Sequence, residues 1–161
     1  MIPTPDSASP SPAPWVVHCD GSAMPNPGRM GLGVVLCAPD GALHTFSQAT
    51  HAIGCNNEAE LRALLLALEE LQARGARALR VHSDSSILVE HLGGVVRPGL
   101  RPIARLQALF GQVRSLLQTF GPVEWVWIPR HRNGEADALA RAALGFGPKP
   151  PTVASRRRRR R

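Results

Sequence analysis

The order of the predicted elements restricts the fold of this chain most strongly. Apolar runs and turn signals predict strands at residues 15–20, 31–38, 42–50, 78–83 and 123–128. Helical spacing of apolar residues predicts helices at residues 57–74, 85–92, 102–120 and 135–144. Gly75 suits the C-terminal cap of the first helix. The resulting order, βββαβα(α)βα, predicts an α/β fold with a five-stranded mixed sheet, in which three antiparallel strands precede βα units and helices flank the sheet.

Composition divides the chain into one folded body and two flanking segments. Residues 1–14 are rich in Pro, Ser and Ala, which predicts a disordered leader. Residues 15–144 contain every predicted element and form one expected domain. Residues 145–161 predict a Pro-rich linker and a tail of six consecutive arginines, of which Arg156 is the first and Arg161 the last. These six supply most of the net charge of +7, so the body is nearly neutral.

Cysteine usage and hydropathy indicate the compartment. The cysteines Cys19, Cys37 and Cys55 are too few and too scattered for a disulfide framework or a zinc ribbon. No apolar run approaches the roughly 20 residues that span a bilayer. The leader lacks the basic start and apolar stretch of a signal peptide. We therefore expect a cytoplasmic protein without membrane contact, and we expect a monomer.

Four carboxylates occupy matching places in the predicted elements. Asp20 and Asp84 each close an apolar strand, Glu60 lies in the first turn of a helix, and Asp137 opens the last helix. Such positions meet at one edge of an α/β sheet, where hard cations bind. Two cations about 3.5–4 Å apart can clamp the attacking and leaving oxygens of a phosphodiester. The pattern therefore predicts a nuclease.

Each carboxylate segment also has a purely structural interpretation. Asn57, with Glu60 three residues later, has the spacing of a capping box. Ser or Asp commonly caps a helix such as the one that follows Asp84. Asn133 could cap the last helix, where Glu135 and Asp137 would suit the helix dipole. The first segment fits a turn, but a turn does not explain an acid at the end of a buried strand.

In combination the four segments resemble ribonuclease H type 1. The motifs are Asp-Gly-Ser, Asn-Pro-Gly and Gly-x-Gly between residues 20 and 33, Asn-Asn-x-x-Glu-Leu-x-Ala from 56, Ser-Asp-Ser from 83, and Asn-x-x-Ala-Asp-x-Leu-Ala from 133. The resemblance covers residues 15–143 and implies a ribonuclease H-like fold. It also implies two-metal-ion hydrolysis of the RNA strand of RNA–DNA hybrids, leaving 5′-phosphate and 3′-hydroxyl ends. The implied ligands of two Mg²⁺ or Mn²⁺ ions are Asp20, Glu60, Asp84 and Asp137.

The resemblance also implies residues that contact the substrate. Asn26, Asn56 and Asn57 match asparagines near the minor groove of the hybrid, where amides can read a 2′-hydroxyl. Ser86 stands where the family often has Gln, and Cys55 stands where many bacterial members have a Thr of a DNA-phosphate pocket. Residues 93–105 resemble a variant without the lysine-rich handle of many members. We expect the arginine tail to bind nucleic-acid phosphates instead, although a solvated terminus without a role is the alternative.

Several histidines and tryptophans allow two interpretations. His131, six residues before Asp137, lies where many members carry a mobile histidine that assists turnover, but a surface histidine is the alternative. Glu135 could touch the outer shell of a metal or simply favour the helix start. His18 and His82 each precede a carboxylate by two residues, and a hydrogen-bonded sheet histidine is favoured over zinc ligation. The tryptophans could stack bases, but packing in the core is favoured for Trp15, Trp125 and Trp127.

Two other functions compete with cleavage of RNA–DNA hybrids. A catalytically idle binding module on the same fold would lack a carboxylate, whereas all four are present. A nuclease for DNA or double-stranded RNA on the same fold is disfavoured by the paired asparagines, because DNA has no 2′-hydroxyl to read. Fold alone cannot separate these functions.

Overall fold

The computed structural model describes residues 12–93 and 104–147. The strands are β1 (Trp15–Met24), β2 (Gly28–Cys37), β3 (Leu43–Gly54), β4 (Leu79–Ser83) and β5 (Val123–Trp127). The α-helices are α1 (Asn56–Ala73), α2 (Ser86–Leu92), α3 (Gln107–Leu117) and α4 (Gly134–Ala143). Single 3₁₀ turns, Ala104–Leu106 and Arg130–Arg132, precede α3 and α4. None of the helices in the described ranges has both the length and the apolar character that crossing a bilayer requires.

The five strands form one mixed sheet in the order β3-β2-β1-β4-β5. β1 pairs with β2, and β2 with β3, in antiparallel fashion, whereas β4 runs parallel to both β1 and β5. The three-stranded antiparallel opening followed by βα units confirms the predicted fold class. The leader residues 1–11, the segment 94–103 and the tail from residue 148 lie outside the described residues, so the predictions made for them stay predictions.

The core lies mainly between the sheet and the helices α1 and α3, while α4 covers the opposite face over β1, β2 and β3. The leucines Leu61, Leu64, Leu68 and Leu71 of α1 are fully buried, as their spacing predicts. Trp15 and Trp125 are partly buried against this core. The core prediction is wrong for Trp127, which is 55% exposed because it ends the edge strand β5.

The ends of α1 differ in how well the sequence predicts them. Gly75 follows the helix with φ +71° and donates its N–H to the Gln72 carbonyl at 3.1 Å, while Ala76 donates to Leu71 at 3.0 Å. This is a Schellman motif, and it confirms the predicted glycine cap. The predicted capping box is wrong, because the helix begins at Asn56 and its N-cap residue, Cys55, makes no side-chain capping hydrogen bond. Asn57 is therefore free of a capping role.

Candidate metal-binding active site

The parallel pairing of β1 with β4 brings Asp20 and Asp84 together. His18 and His82 are register partners, and each carboxylate follows its histidine by two residues. The prediction that Asp20 closes its strand is wrong, since β1 continues to Met24 in antiparallel pairing with β2. β4, however, ends at Ser83, so Asp20 lies where β1 extends past its neighbour. This step at the sheet edge leaves room for other carboxylates.

Glu60 reaches the same edge because α1 packs directly on the backbone of β1. A Cβ added to Gly21 would lie 2.1 Å from the carbonyl carbon of Ala59, closer than real atoms approach. Only glycine at this position lets the helix come so near. Glu60 follows Ala59, and ligand oxygens of Asp20, Glu60 and Asp84 all lie within 4.8 Å of one another.

Asp137 lies on α4, which packs on the opposite face of the sheet through a similar close contact with a glycine. Gly33 is the register partner of Asp20 on β2, and a Cβ there would lie 2.0 Å from the carbonyl oxygen of Ala136. Asp137 is the next residue of α4, and its side chain shares a hydrogen bond with Asp20. The glycine that ends the Gly-x-Gly motif therefore allows α4 to pack directly against the sheet.

Burial and crowding make the carboxylate cluster electrostatically unfavourable. Burial, the charge of Asp84 and the hydrogen bond with Asp137 together raise the pKa of Asp20 to about 8. Burial also raises the pKa of Glu60 to about 7, although a hydrogen bond with Ser85 acts in the opposite direction. Hard divalent cations relieve such repulsion and prefer carboxylate oxygens. The residues present therefore fit a site for a hard divalent cation.

The carboxylates lie in a cavity of about 590 Å³. All four predicted metal ligands line it, together with Asn56 and His131, so these sequence candidates share one site. The sequence interpretation overlooked two further lining residues, Arg130 and Arg141. The charge of Arg130 works against the raised pKa of Glu60. The basic turn Arg130–Arg132 just before Asp137 indicates that a positive charge lies near the site, but the resemblance points only to its histidine.

The asparagine candidates separate into two groups. Asn56 accepts a hydrogen bond from the N–H of Ala23 at 2.8 Å, and Asn26 accepts one from the N–H of Asn56 at 3.1 Å. Both carbonyl oxygens are thus used within the protein, and in the described part of the chain the two Nδ2 groups have no protein partner. Asn56 is the one of these candidates that lines the cavity; Asn57 is half-buried, Asn26 and Ser86 are exposed, and none of these three is among the lining residues.

The residues predicted as helix caps behave differently from one another. Ser85 caps α2 as expected, since its hydroxyl oxygen accepts from the N–H of Leu88 at 3.3 Å. Asn133 occupies the N-cap position of α4 but makes no side-chain capping bond, so the capping interpretation of its side chain is wrong. Its Nδ2 instead donates to the carbonyl of Cys19 at 3.0 Å and to Oδ2 of Asp84 at 2.9 Å.

His18 and His82 stack face to face, with ring centroids 4.5 Å apart and an interplanar angle of 4°. Burial lowers the pKa of both rings; the pKa of His18 is lowered further by the neighbouring His82, and that of His82 by the charge of Arg80. Among the described residues Nδ1 of His82 has no hydrogen-bond partner, whereas the ring makes a backbone hydrogen bond with Val17, so the expected hydrogen-bonded sheet histidine is only partly realised. Within the described residues, the carboxylate trio is the only group of three or more candidate metal ligands. Glu135 is exposed at the start of α4.

The chain is similar to a known protein family and to proteins of mycobacteria. Residues 18–143 match the family described as reverse transcriptase-like. A bifunctional protein of Mycobacterium tuberculosis is 34% identical over 134 residues, which are 80% of this chain and 35% of that protein. The chain thus spans about a third of the length of the mycobacterial relatives that it matches.

Two solved structures share the fold closely. The crystal structure of ribonuclease H1 from the archaeon Halobacterium salinarum has a TM-score of 0.74 and 29% identity, covering 83% of this chain and 98% of that one. LC11-RNase H1, solved in complex with an RNA/DNA hybrid, has a TM-score of 0.71 and 31% identity, covering 81% and 96%. The similarity therefore extends over nearly the whole of each solved domain.

Proposed function

The chain belongs to the reverse transcriptase-like family with a ribonuclease H-like fold, and from this premise we propose that it is an endoribonuclease. Its substrate is the RNA strand of RNA–DNA hybrids, and its products carry 5′-phosphate and 3′-hydroxyl ends. One observation carries the proposal: ligand oxygens of Asp20, Glu60 and Asp84 lie within 4.8 Å of one another in a cavity that Asp137 also lines.

The four carboxylates are the residues that would hold divalent cations. When bound, two Mg²⁺ or Mn²⁺ ions supply acidification of a water molecule and charge stabilisation at the leaving 3′ oxygen. The carboxylates supply negative charge from three directions: Asp20 and Asp84 from the sheet, Glu60 from α1, and Asp137 from α4. Ser85 restrains Glu60 through a hydrogen bond, which limits the loss of that ligand to protonation.

Selection of the RNA strand is assigned to Asn56, which lines the cavity, and to Asn26, which is hydrogen-bonded to it. Because their carbonyl oxygens are engaged by the N–H groups of Ala23 and Asn56, Asn56 and Asn26 present Nδ2 donors. A 2′-hydroxyl oxygen can accept such a hydrogen bond, and DNA has no such group. Asn57 and Ser86 stay candidates for contacts further along the hybrid, outside the cavity.

The basic residues at the cavity are assigned to the phosphates and to turnover. Arg130 and Arg141 both line the cavity, and their positive charges can attract a phosphodiester that approaches four carboxylates. His131 is exposed in the 3₁₀ turn before α4 and also lines the cavity. It is proposed to assist turnover rather than to hold a cation.

The arginine tail is proposed to add non-specific affinity for nucleic-acid phosphates. Deletion of residues 156–161 should raise KM at low salt and leave kcat nearly unchanged, since the tail carries no catalytic group. The slope of log affinity against log salt should become shallower by roughly 0.9 for each phosphate that the tail neutralises in the intact chain. Identical slopes for the intact and truncated chains would show that the tail does not engage the substrate. We also propose a cytoplasmic location and a monomer, the latter testable by sedimentation of the full chain.

The decisive experiment compares substrates and metals in parallel. An end-labelled RNA–DNA hybrid is incubated beside single-stranded RNA, duplex RNA and duplex DNA, each with Mg²⁺, with Mn²⁺ or with a chelator. We expect cleavage of the RNA strand of the hybrid alone, and only with a divalent ion. Cleavage of duplex RNA or DNA at a similar rate would contradict the substrate assignment. Tight hybrid binding without cleavage would support the binding module instead.

A further inference from the structure

Asn133 connects the elements that carry three of the four carboxylates. Its single Nδ2 group donates to the carbonyl of Cys19, which directly precedes Asp20, and to Oδ2 of Asp84. Its own main-chain carbonyl accepts the N–H of Asp137 at 3.0 Å. One buried residue, 1% exposed, therefore touches β1, the end of β4 and the first turn of α4.

The orientation of this amide is determined by its neighbours. Both groups that face Nδ2 are acceptors, so a rotated amide would set its oxygen against the Cys19 carbonyl and the Asp84 carboxylate. The other amide atom, Oδ1, is buried without a hydrogen-bond partner in the described residues. Asn133 thus leaves its acceptor unused and makes no capping bond. Helix capping does not account for asparagine at this position.

We propose that Asn133 is a positioning residue for the carboxylate site, an inference that rests on the metal-dependent function proposed above. Its amide holds one oxygen of Asp84 and leaves the other available as a ligand. It also ties Asp84 to the strand of Asp20, so the spacing of the two carboxylates is set before a cation arrives. Because the amide is neutral, it restrains Asp84 without cancelling the negative charge that a cation requires.

The test measures binding of Mn²⁺ rather than cleavage. The half-saturating Mn²⁺ concentration is obtained from the metal-dependent rise in melting temperature and from the free-ion electron paramagnetic resonance signal. The main variant is Asn133→Ser, because Ser is a good N-cap residue but is too short to reach both acceptors. Asn133→Ala is the second variant. Val113→Ala, in the fully buried core of α3, is the matched control for a loss of stability alone.

We expect Asn133→Ser to raise the half-saturating Mn²⁺ concentration by about 10–100-fold, the usual effect of removing a partner that orients a ligand. Excess Mn²⁺ should restore much of its hybrid cleavage. Val113→Ala should lower the melting temperature and leave the half-saturating concentration unchanged.

Two outcomes would overturn the inference in distinguishable ways. Half-saturating concentrations within about twofold of wild type for both Asn133 variants, alongside cleavage by wild type, would leave Asn133 as a structural contact only. No Mn²⁺ binding by the wild-type protein would overturn the proposed function together with the inference. If Asn133→Ala does not fold, Asn133→Ser decides between these outcomes.

Discussion

Leu64, in the layer between the sheet and α1, and Asp20, at the carboxylate site, are both buried, but their surroundings contain opposite kinds of side chain. Leu64 and its neighbouring leucines are fully buried among apolar groups, which stabilises the fold. Asp20 is only 8% exposed and is buried among other acids, which raises its pKa. The same helix, α1, contributes to both regions, through Leu64 to the core and through Glu60 to the edge.

The contrast indicates which region gives stability and which gives activity. In the metal-free protein the carboxylate cluster lowers the free energy of unfolding, since like charges are held close together. The core must supply the stability that holds them there. Substitutions in the core should therefore lower stability and spare metal binding, while removal of an acid from the carboxylate cluster should weaken metal binding and stabilise the metal-free protein.

The largest expected effect is at the edge. Asp84→Asn should lower the rate of hybrid cleavage by more than about 1,000-fold, ~4 kcal/mol of barrier, because it removes a charged ligand and keeps the shape. Asp40→Asn, in the exposed turn between β2 and β3, is the matched control and should cleave at the wild-type rate. An Asp84→Asn protein that retained more than about a tenth of the rate would show that Asp84 is not a core ligand.

The corresponding change in the core is Leu64→Ala. It should lower the free energy of unfolding by about 2–5 kcal/mol, because it leaves a cavity where a fully buried side chain packed. The half-saturating Mn²⁺ concentration should not change. Denaturant unfolding and Mn²⁺ titration check the two statements separately. A loss of metal affinity comparable to the loss of stability would contradict the statement that the core affects stability without affecting metal binding.

Removing the central acid should stabilise the metal-free protein. Asp20→Asn relieves the burial of a charge beside Asp84 and Glu60, so its melting temperature at pH 8 without metal should exceed that of wild type. Added Mg²⁺ should raise the wild-type melting temperature and leave the variant nearly unaffected. A variant that melts below wild type in a chelator would show that Asp20 does not destabilise the metal-free protein.

The same repulsion predicts a pH dependence. The pKa of Asp20 is about 8 in the folded protein and 3.8 ordinarily, so the folded state holds more protons than the unfolded state between these values. Asp20 should therefore not lower the free energy of unfolding of the metal-free protein below about pH 4, and should lower it progressively as the pH rises toward 8. Thermal melts from pH 5 to pH 8.5 in a chelator measure this slope. Saturating Mg²⁺, or the Asp20→Asn change, should flatten it.

The smallest expected effect belongs to the exposed side of the edge. His131→Ala should slow multiple-turnover cleavage by about 3–10-fold, within ~1.4 kcal/mol of barrier, and leave single-turnover cleavage active. The reason is that His131 lines the cavity from an exposed turn and is not in the carboxylate trio. If single-turnover cleavage were abolished, His131 would belong to the chemical step.

Local patterns were sufficient for the order of the elements and for the choice of carboxylates. Alternation and helical spacing depend on a few neighbouring residues, and Gly75 needs only its own helix end. The extent of β1 was not predictable from the apolar run, because residues beyond Asp20 stay in the strand through pairing with β2. The position of Trp127 likewise depends on which strand forms the sheet edge.

By itself the sequence determined which residues are acidic and the order of the helices and strands, which was enough to predict that four carboxylates meet at one side of the sheet. Only the tertiary structure decided what surrounds them. Gly21 and Gly33 matter through contacts with helices that follow much later in the chain, and Asn133 acts on a carbonyl 114 residues away. Such contacts leave no local pattern, since an asparagine before a helix looks the same whether its amide caps that helix or holds a distant carboxylate.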